Sequence, residues 1–464
     1  MVGRVDIAGV GWAVTGARGG GMMGNTATTA EVREEKRETA LDVSAGRFAV
    51  SILFGLVAGL VLQAWTVAFL GRLGPEALYV RSVYTPIGYL VLAVTEGLVV
   101  ASQVSAGIAA RNGRSREALK SLPTFFAVGA GLLVLQAVVV LMVPGPVLNA
   151  LGVAPDARHS VLVFVVTLAL TSAVGLLPYL GAGVLRGLGH TGPAAWLGAL
   201  FTVLSIAGTV VLHAVTELGV LAVPIGGLPA TVAVGAAVVA VLRRKRVARP
   251  ALVGDRAAVR ELLGLGAPVA GTFLLLSTVT FGYLRVLREA GPVEVAGFSL
   301  GQMAVGLLMV IAMAVGSGTA IAVTLRPGGS RRGINHAGLN TVLRLSLPPY
   351  LLLGAAVFLL REPIARALTT DRAAAAVTAG YFAWVGPTLA LFGGTLALLS
   401  YLEQIGRAGA AFLLNTVYFA VMLAAAFLIP APVDAGDLAG LMAAGNVLGF
   451  VTLWFSVRFL VLRR

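Results

Sequence analysis

Apolar runs of about 20 residues, parted by short polar gaps, recur from residue 48 to the carboxyl end. A bilayer core of ~30 Å is crossed by about 20 apolar residues in helical form. The pattern therefore predicts twelve membrane-spanning helices, near 48–70, 83–108, 122–143, 161–183, 194–215, 218–242, 262–284, 297–323, 342–360, 377–401, 410–429 and 438–460. The fifth and sixth are parted by little more than Thr216 and Glu217. Small residues four apart, Gly55 with Gly59 and Gly445 with Gly449, suit close helix contact inside a membrane. Residues 1–47 differ. A glycine run at 19–21 and a charged stretch from Glu31 to Glu38 predict a largely disordered cytosolic tail leading into a short polar helix. This segment has no apolar h-region followed by a small-residue cleavage site.

The chain repeats itself. Leu73-Gly74-Pro75 returns as Ala290-Gly291-Pro292, and Leu185, Gly189, Gly192 and Ala194 return as Leu402, Gly406, Gly409 and Ala411, all shifted by 217 positions. Gly97, Ala101 and Ala118 return as Gly316, Ala320 and Ala337, shifted by 219. Six spans per half make both halves enter the membrane from one side, which gives a parallel repeat about an axis along the membrane normal, a recurrent plan of secondary transporters. The expected fold class is an all-α polytopic membrane protein of twelve helices in two six-helix bundles. The domains read as a tail (1–47), an amino-terminal bundle (48–242), a basic cytosolic linker (243–261) and a carboxyl-terminal bundle (262–464).

Composition removes the soluble alternatives. Of 464 residues 58% are hydrophobic and 12% charged, with a mean hydropathy of +0.93; soluble domains carry about 25% charged residues. The absence of cysteine excludes disulfide scaffolds and cysteine-held zinc or iron–sulfur centres. The net charge of +14 suggests nucleic acid until its distribution is followed. With the amino terminus in the cytosol, 26 of the 34 basic residues fall on inside segments and 8 on outside loops. Topology accounts for that bias. It places the chain in the cell membrane with both termini cytosolic and excludes nucleic acid as a partner.

Enzyme motifs lack their context. Gly187-Leu188-Gly189-His190-Thr191-Gly192 fits G-x-G-x-x-G but sits in a short turn between spans with no preceding strand. Gly297-Phe298-Ser299-Leu300-Gly301 fits a nucleophile elbow but lies inside a span. No P-loop is present, and His159, His190, His213 and His336 have no ligand spacing. The sequence points to no enzyme, no metal and no cofactor.

One ionisable group stands out. Glu96 is the only charged residue between Arg81 and Arg111 and the only acid deep in a predicted span. A carboxylate near mid-membrane costs free energy and marks a functional site, often a cation or proton relay; a hydrogen-bonded structural glutamic acid is the competing reading. Tyr89, Glu96 and Gln103 are spaced by sevens and share a helix face. Tyr381 and Thr388, with Trp384 beside them, form a similar stripe in the tenth span, and Gln302, Met309 and Met313 another in the eighth. Such stripes suit a cavity for amphiphiles, though helix packing also produces them.

Several stretches resemble the multidrug and toxic compound extrusion (MATE) family. They are Phe69-Leu70-Gly71-Arg72-Leu73-Gly74, the stretch from Glu96 to Gly113, Leu185-Arg186-Gly187-Leu188-Gly189, and Gly266-Ala267-Pro268. The resemblance covers about residues 45–460. It implies a cation-coupled exporter of organic, often cationic, compounds working by alternating access. It also implies coupling acids at positions where this chain has Thr66, Ser205, Thr209, Leu276 and Phe392, so none is retained. Glu96 is left as the cation-coupling candidate, with Thr66, Tyr89, Gln103, Gln302, Met309, Tyr381, Trp384 and Thr388 as substrate-cavity candidates. The expected function is antiport of H+ or Na+ against small organic compounds by a monomer in the bilayer. The alternatives are a flippase of lipid-linked precursors, to which a span interior without arginine is ill suited, and an uncoupled regulatory or scaffold relative.

The charge bias predicts that the 243–260 connection faces the cytosol. Single cysteines placed there should resist an impermeant thiol reagent in intact cells and react after permeabilisation. Reaction in intact cells at the level of an external loop would overturn this orientation.

Overall fold

A computed structural model describes residues 24–150, 153, 155–245, 247, 256–326, 336–430 and 432–462. The tail over 1–23 and much of the basic connection between the halves lie outside these residues. Among the described residues, thirteen long helices are α1 (Gly24–Leu73), α2 (Pro75–Arg111), α3 (Leu122–Met142), α4 (Arg158–Gly187), α5 (Thr191–Val215), α6 (Leu228–Arg244), α7 (Ala267–Val286), α8 (Pro292–Thr324), α9 (His336–Leu359), α10 (Arg372–Val385), α11 (Leu389–Leu402), α12 (Ala408–Leu428) and α13 (Ala435–Leu462). The described residues contain no strand. Hydrocarbon offers backbone groups no partners, so helices that satisfy their own are the expected solution.

Among the described residues, eleven helical stretches are long and apolar enough to cross a membrane. One of them, Arg372–Leu428, has 57 residues, roughly 85 Å at 1.5 Å per residue, which is enough for the tenth and eleventh spans together. A π-turn at Glu403–Arg407, with Gly406 at φ 87°, bends it between them. The stretch expected to be a disordered tail with a short polar helix is helical from Gly24 onward. Leu41 and Ala45 explain why helix is kept before the membrane: both are fully buried, giving this segment an apolar stripe of its own.

The repeat is visible in the turns. Gly74 (φ 118°) precedes α2 and Gly291 (φ 95°) precedes α8, each followed by a proline in the first turn of the helix. Gly189 (φ 80°) and Gly406 (φ 87°) form the second related pair. A side chain at any of these positive φ values is strained, so the glycines that mark the repeat in sequence are turn requirements.

Within the first half, α4 packs on α2, α3, α5 and α6; within the second, α8 packs on α9, α10 and α11. Large apolar side chains such as Met142, Leu352, Leu359 and Leu428 point outward, as a bilayer requires. Helices gain little hydrophobic energy from each other in lipid, and close backbone approach takes its place. An added Cβ on Gly183 of α4 would lie 2.9 Å from the Val99 carbonyl oxygen of α2, and one on Gly187 would collide with the Gln103 carbonyl. At the equivalent crossing of the second half, an added Cβ on Gly316 would lie 2.6 Å from the Ala397 carbonyl oxygen. The halves themselves meet where Gly97 of α2 faces Gly266 at the start of α7, with an added Cβ 2.6 Å from the Gly266 oxygen.

These crossings make a stability prediction. Gly187→Ala should cost about 1–3 kcal/mol, the usual range for overpacking, and lower the thermal midpoint of the detergent-purified protein. Gly59→Ala, where an added Cβ meets nothing within 4 Å, should not lower it. Equal midpoints for parent and Gly187→Ala would show that the crossing has slack.

Candidate functional site

Glu96 lies on α2 one residue before Gly97, where the two halves touch. It is surrounded by protein, with its side chain half-buried. Three further groups stand within its electrostatic reach: Arg186 and Tyr179 of α4, and Glu403 at the π-turn. The glycine crossing of α4 on α2 explains Arg186. A helical side chain leans toward the helix amino terminus, which carries Arg186 from the last turn of α4 back toward the level of Glu96. The buried Nε of Arg186 has no hydrogen-bond partner among the described residues. Arg186 itself follows the predicted span 161–183, and its charge acts on Glu96 from the helix end.

Arg186 and Glu403 occupy repeat-related positions, directly after Leu185 and Leu402. The two halves thus present opposite charges to the same carboxylate. In the sequence Arg186 stands out only as part of the Leu185-Arg186-Gly187-Leu188-Gly189 stretch, and Glu403 not at all. Laying one half on the other would have exposed the pair.

The cavity candidates are dispersed. Gln103 is buried, 4% exposed, and its Nε2 donates to Gln404 Oε1 at 2.8 Å across the two halves. It is a tie between them, placed there because α2 and the π-turn meet at this level. Tyr381 is sealed in the second half, with Phe298 edge-on at 5.5 Å and Met442 Sδ 3.8 Å from its hydroxyl. The side-chain-free face of Gly301 accommodates its ring, so Tyr381 is packing and does not line a cavity. Trp384 turns the opposite way, 56% exposed against Gly440 of α13. Thr388 sits in a 3-10 turn between α10 and α11, accepting from Asn446 Nδ2 at 2.9 Å. Thr66 donates to the Leu62 carbonyl of its own helix at 2.8 Å. Tyr89 on α2, and Gln302 and Met309 on α8, are half-buried. The turn of α8 before Met313 is gripped by Tyr350, whose hydroxyl donates to the Leu308 carbonyl and accepts from the Ala312 amide.

A cleft of about 90 Å³ lies in the first half, lined by Gly55, Gly59, Leu62, Tyr179, Phe201 and Thr202 among others. It has room for a few waters and falls short of the ~300 Å³ at which small-molecule sites begin. Tyr179 belongs both to this cleft and to the surroundings of Glu96. His190, in the turn after α4, has its imidazole held below the usual range by burial and then by the positive charge of Lys245. Among the described residues no three His, Asp or Glu side chains gather as a metal site would require.

Residues 268–428 match the family model MatE. No curated protein sequence matches the chain. Among solved structures, a mutant of the MATE transporter VcmN from Vibrio cholerae is similar in fold, with a TM-score of 0.84 and 16% identity over 92% of this chain and 98% of that one. A MOP superfamily transporter from Pyrococcus furiosus, described as having a binding pocket of reversed polarity that suggests a different function, reaches a TM-score of 0.76 at 16% identity, covering 91% of this chain and 96% of that one. An outward-facing multidrug resistance MATE transporter reaches 0.78 at 16% identity, with the same coverage.

The Gln103–Gln404 pair is expected to behave as a buried polar couple. Gln103→Leu leaves Gln404 without its partner and should destabilise by about 1–3 kcal/mol. Adding Gln404→Leu should recover most of that loss, since both polar groups are then gone. Urea or thermal unfolding of both variants in detergent measures this; a single variant as stable as the parent would exclude the tie.

Proposed function

We propose that this chain is a secondary active exporter of the MATE family, moving small organic compounds out of the cell against an inward flow of H+ or Na+ by alternating access. The observation that carries the reading is Glu96: a half-buried carboxylate in the middle of a span, beside the contact of the two halves and close to Arg186. An ionised Glu96 is attracted to Arg186 and repelled by Glu403, while a neutralised one feels neither. Loading with a cation therefore alters the forces on α2 next to Gly97, where a shift of α2 changes how the halves abut. An exporter needs such a link between ion occupancy and the disposition of its halves. The resemblance of the fold to a multidrug resistance transporter supports an organic substrate.

The flippase reading gains one observation, since Arg186 offers a positive group to a lipid phosphate. Glu96 and Glu403 near the same position offset that charge, and export of organic compounds is favoured. The oligomeric state proposed is a monomer, with both termini in the cytosol.

Glu96→Gln tests the reading, because the amide keeps the shape of a protonated carboxyl and removes titration. In proteoliposomes under an imposed pH or sodium gradient, wild type should move a fluorescent organic cation. Glu96→Gln should fall to the level of empty liposomes, and Glu96→Asp should keep partial transport with a displaced pH profile. Undiminished gradient-driven transport by Glu96→Gln would remove Glu96 as the coupling group.

A further inference from the structure

α1 is one unbroken helix without proline, yet different halves of the protein hold successive stretches of it. Over 41–52 its partners come from the second half. Leu41 and Ala45 bury against Ala322 of α8, and Ile52 against Ala314 and Ile321. The closest approach is at Gly318 of α8, where an added Cβ would lie 2.6 Å from the Ala49 nitrogen and 2.9 Å from the Ala45 carbonyl oxygen. The same stretch carries a polar tie to α9: the Asp42 carboxylate accepts from Thr341 Oγ1 at 2.5 Å and pairs with Arg344 at 3.5 Å. Two residues beyond Ile52 the partners change. The Phe54 ring lies 5.4 Å from that of Trp196, Gly55 faces Ala195, and Thr202 Oγ1 donates to the Ala58 carbonyl at 3.1 Å, all from α5 of the first half.

We propose that residues 41–52 of α1 form a strap fastening the first half to the second in the state seen here, with the tie of Asp42 to Thr341 and Arg344 as its releasable latch. A stiff helix attached to two bodies that rock must let go at one end or bend at the change-over. The construction favours release at the 41–52 end. The Asp42 and Arg344 side chains there are 24% and 45% exposed, so water can take the place of either partner. Partly exposed pairs are individually weak, which suits a contact that has to open. Gly55 and Gly59 follow the change-over and leave room for whatever bend remains. This proposal rests on the alternating-access reading and adds to it the part that must detach.

The protein has no cysteine, so Ala45→Cys and, as a first-half reference, Ala195→Cys can each be followed by their rate of reaction with a maleimide in the purified full chain. Both positions are buried. Asp42→Asn should raise the rate at 45 by about threefold or more, the order expected for losing one partly exposed pair, and leave the rate at 195 unchanged. Exchanging the charges, Asp42→Arg with Arg344→Asp, should bring the rate at 45 back toward the parental value. An unchanged rate at 45 would overturn the latch, and so would a parallel rise at 195, which signals general loosening. Spin-label distances between the outer ends of α1 and α7 report the motion of the halves separately. A single fixed distance there would count against alternating access, whatever the maleimide rates show.

Discussion

Helices in hydrocarbon gain almost nothing by hiding apolar surface from one another, and what holds them is how near their backbones come. The rest of this structure depends on that constraint. Gly183 and Gly187 let α4 lie on α2, and Gly316 lets α11 lie on α8 in the same way. Gly97 lets the halves touch at the start of α7, and Gly318 admits α1. Each contact has a bare backbone on at least one side. The crossing of α4 on α2 also determines the electrostatics, because it brings the root of the Arg186 side chain against the helix that carries Glu96.

A deep charge is tolerated only beside an opposite charge or water, and Glu96 has a cationic neighbour in Arg186. Glu403 presses from the second half with the opposite sign to Arg186. The carboxylate is thus balanced between groups belonging to different bundles, at the place where those bundles meet.

Much of this was legible in the sequence because the bilayer imposes one-dimensional rules. The spans follow from run length, and the repeat from spaced glycines, which the structure explains as positive-φ turns at Gly74, Gly189, Gly291 and Gly406. Glu96 was legible because a lone acid in an apolar run has no ordinary explanation. The companions of Glu96 were hidden. Arg186 reads as a topological charge until its side-chain direction is considered, and Glu403 lies in a turn whose approach to α2 is a tertiary fact. Helical spacing placed Gln103, Tyr381 and Trp384 on polar or aromatic stripes, yet a stripe does not say what it faces. Gln103 faces the other half, Tyr381 its own core and Trp384 the outside. The short polar helix expected before the first span runs on into it as one helix, and its buried positions, Leu41 and Ala45, are too few to register as an apolar run.

The opposite signs at positions 186 and 403 bear on how such a chain is assembled. Two identical halves paired as separate subunits would carry the same residue at both places, and the central carboxylate twice over. A charge that differs between equivalent positions requires the halves to be distinguishable, and one continuous polypeptide guarantees this by fixing which half is which. The halves have therefore ceased to be interchangeable parts. Substituting a second copy of the first bundle for the second would put an arginine where Glu403 stands and a second glutamate where Val315 stands, and the asymmetry at the contact would be lost.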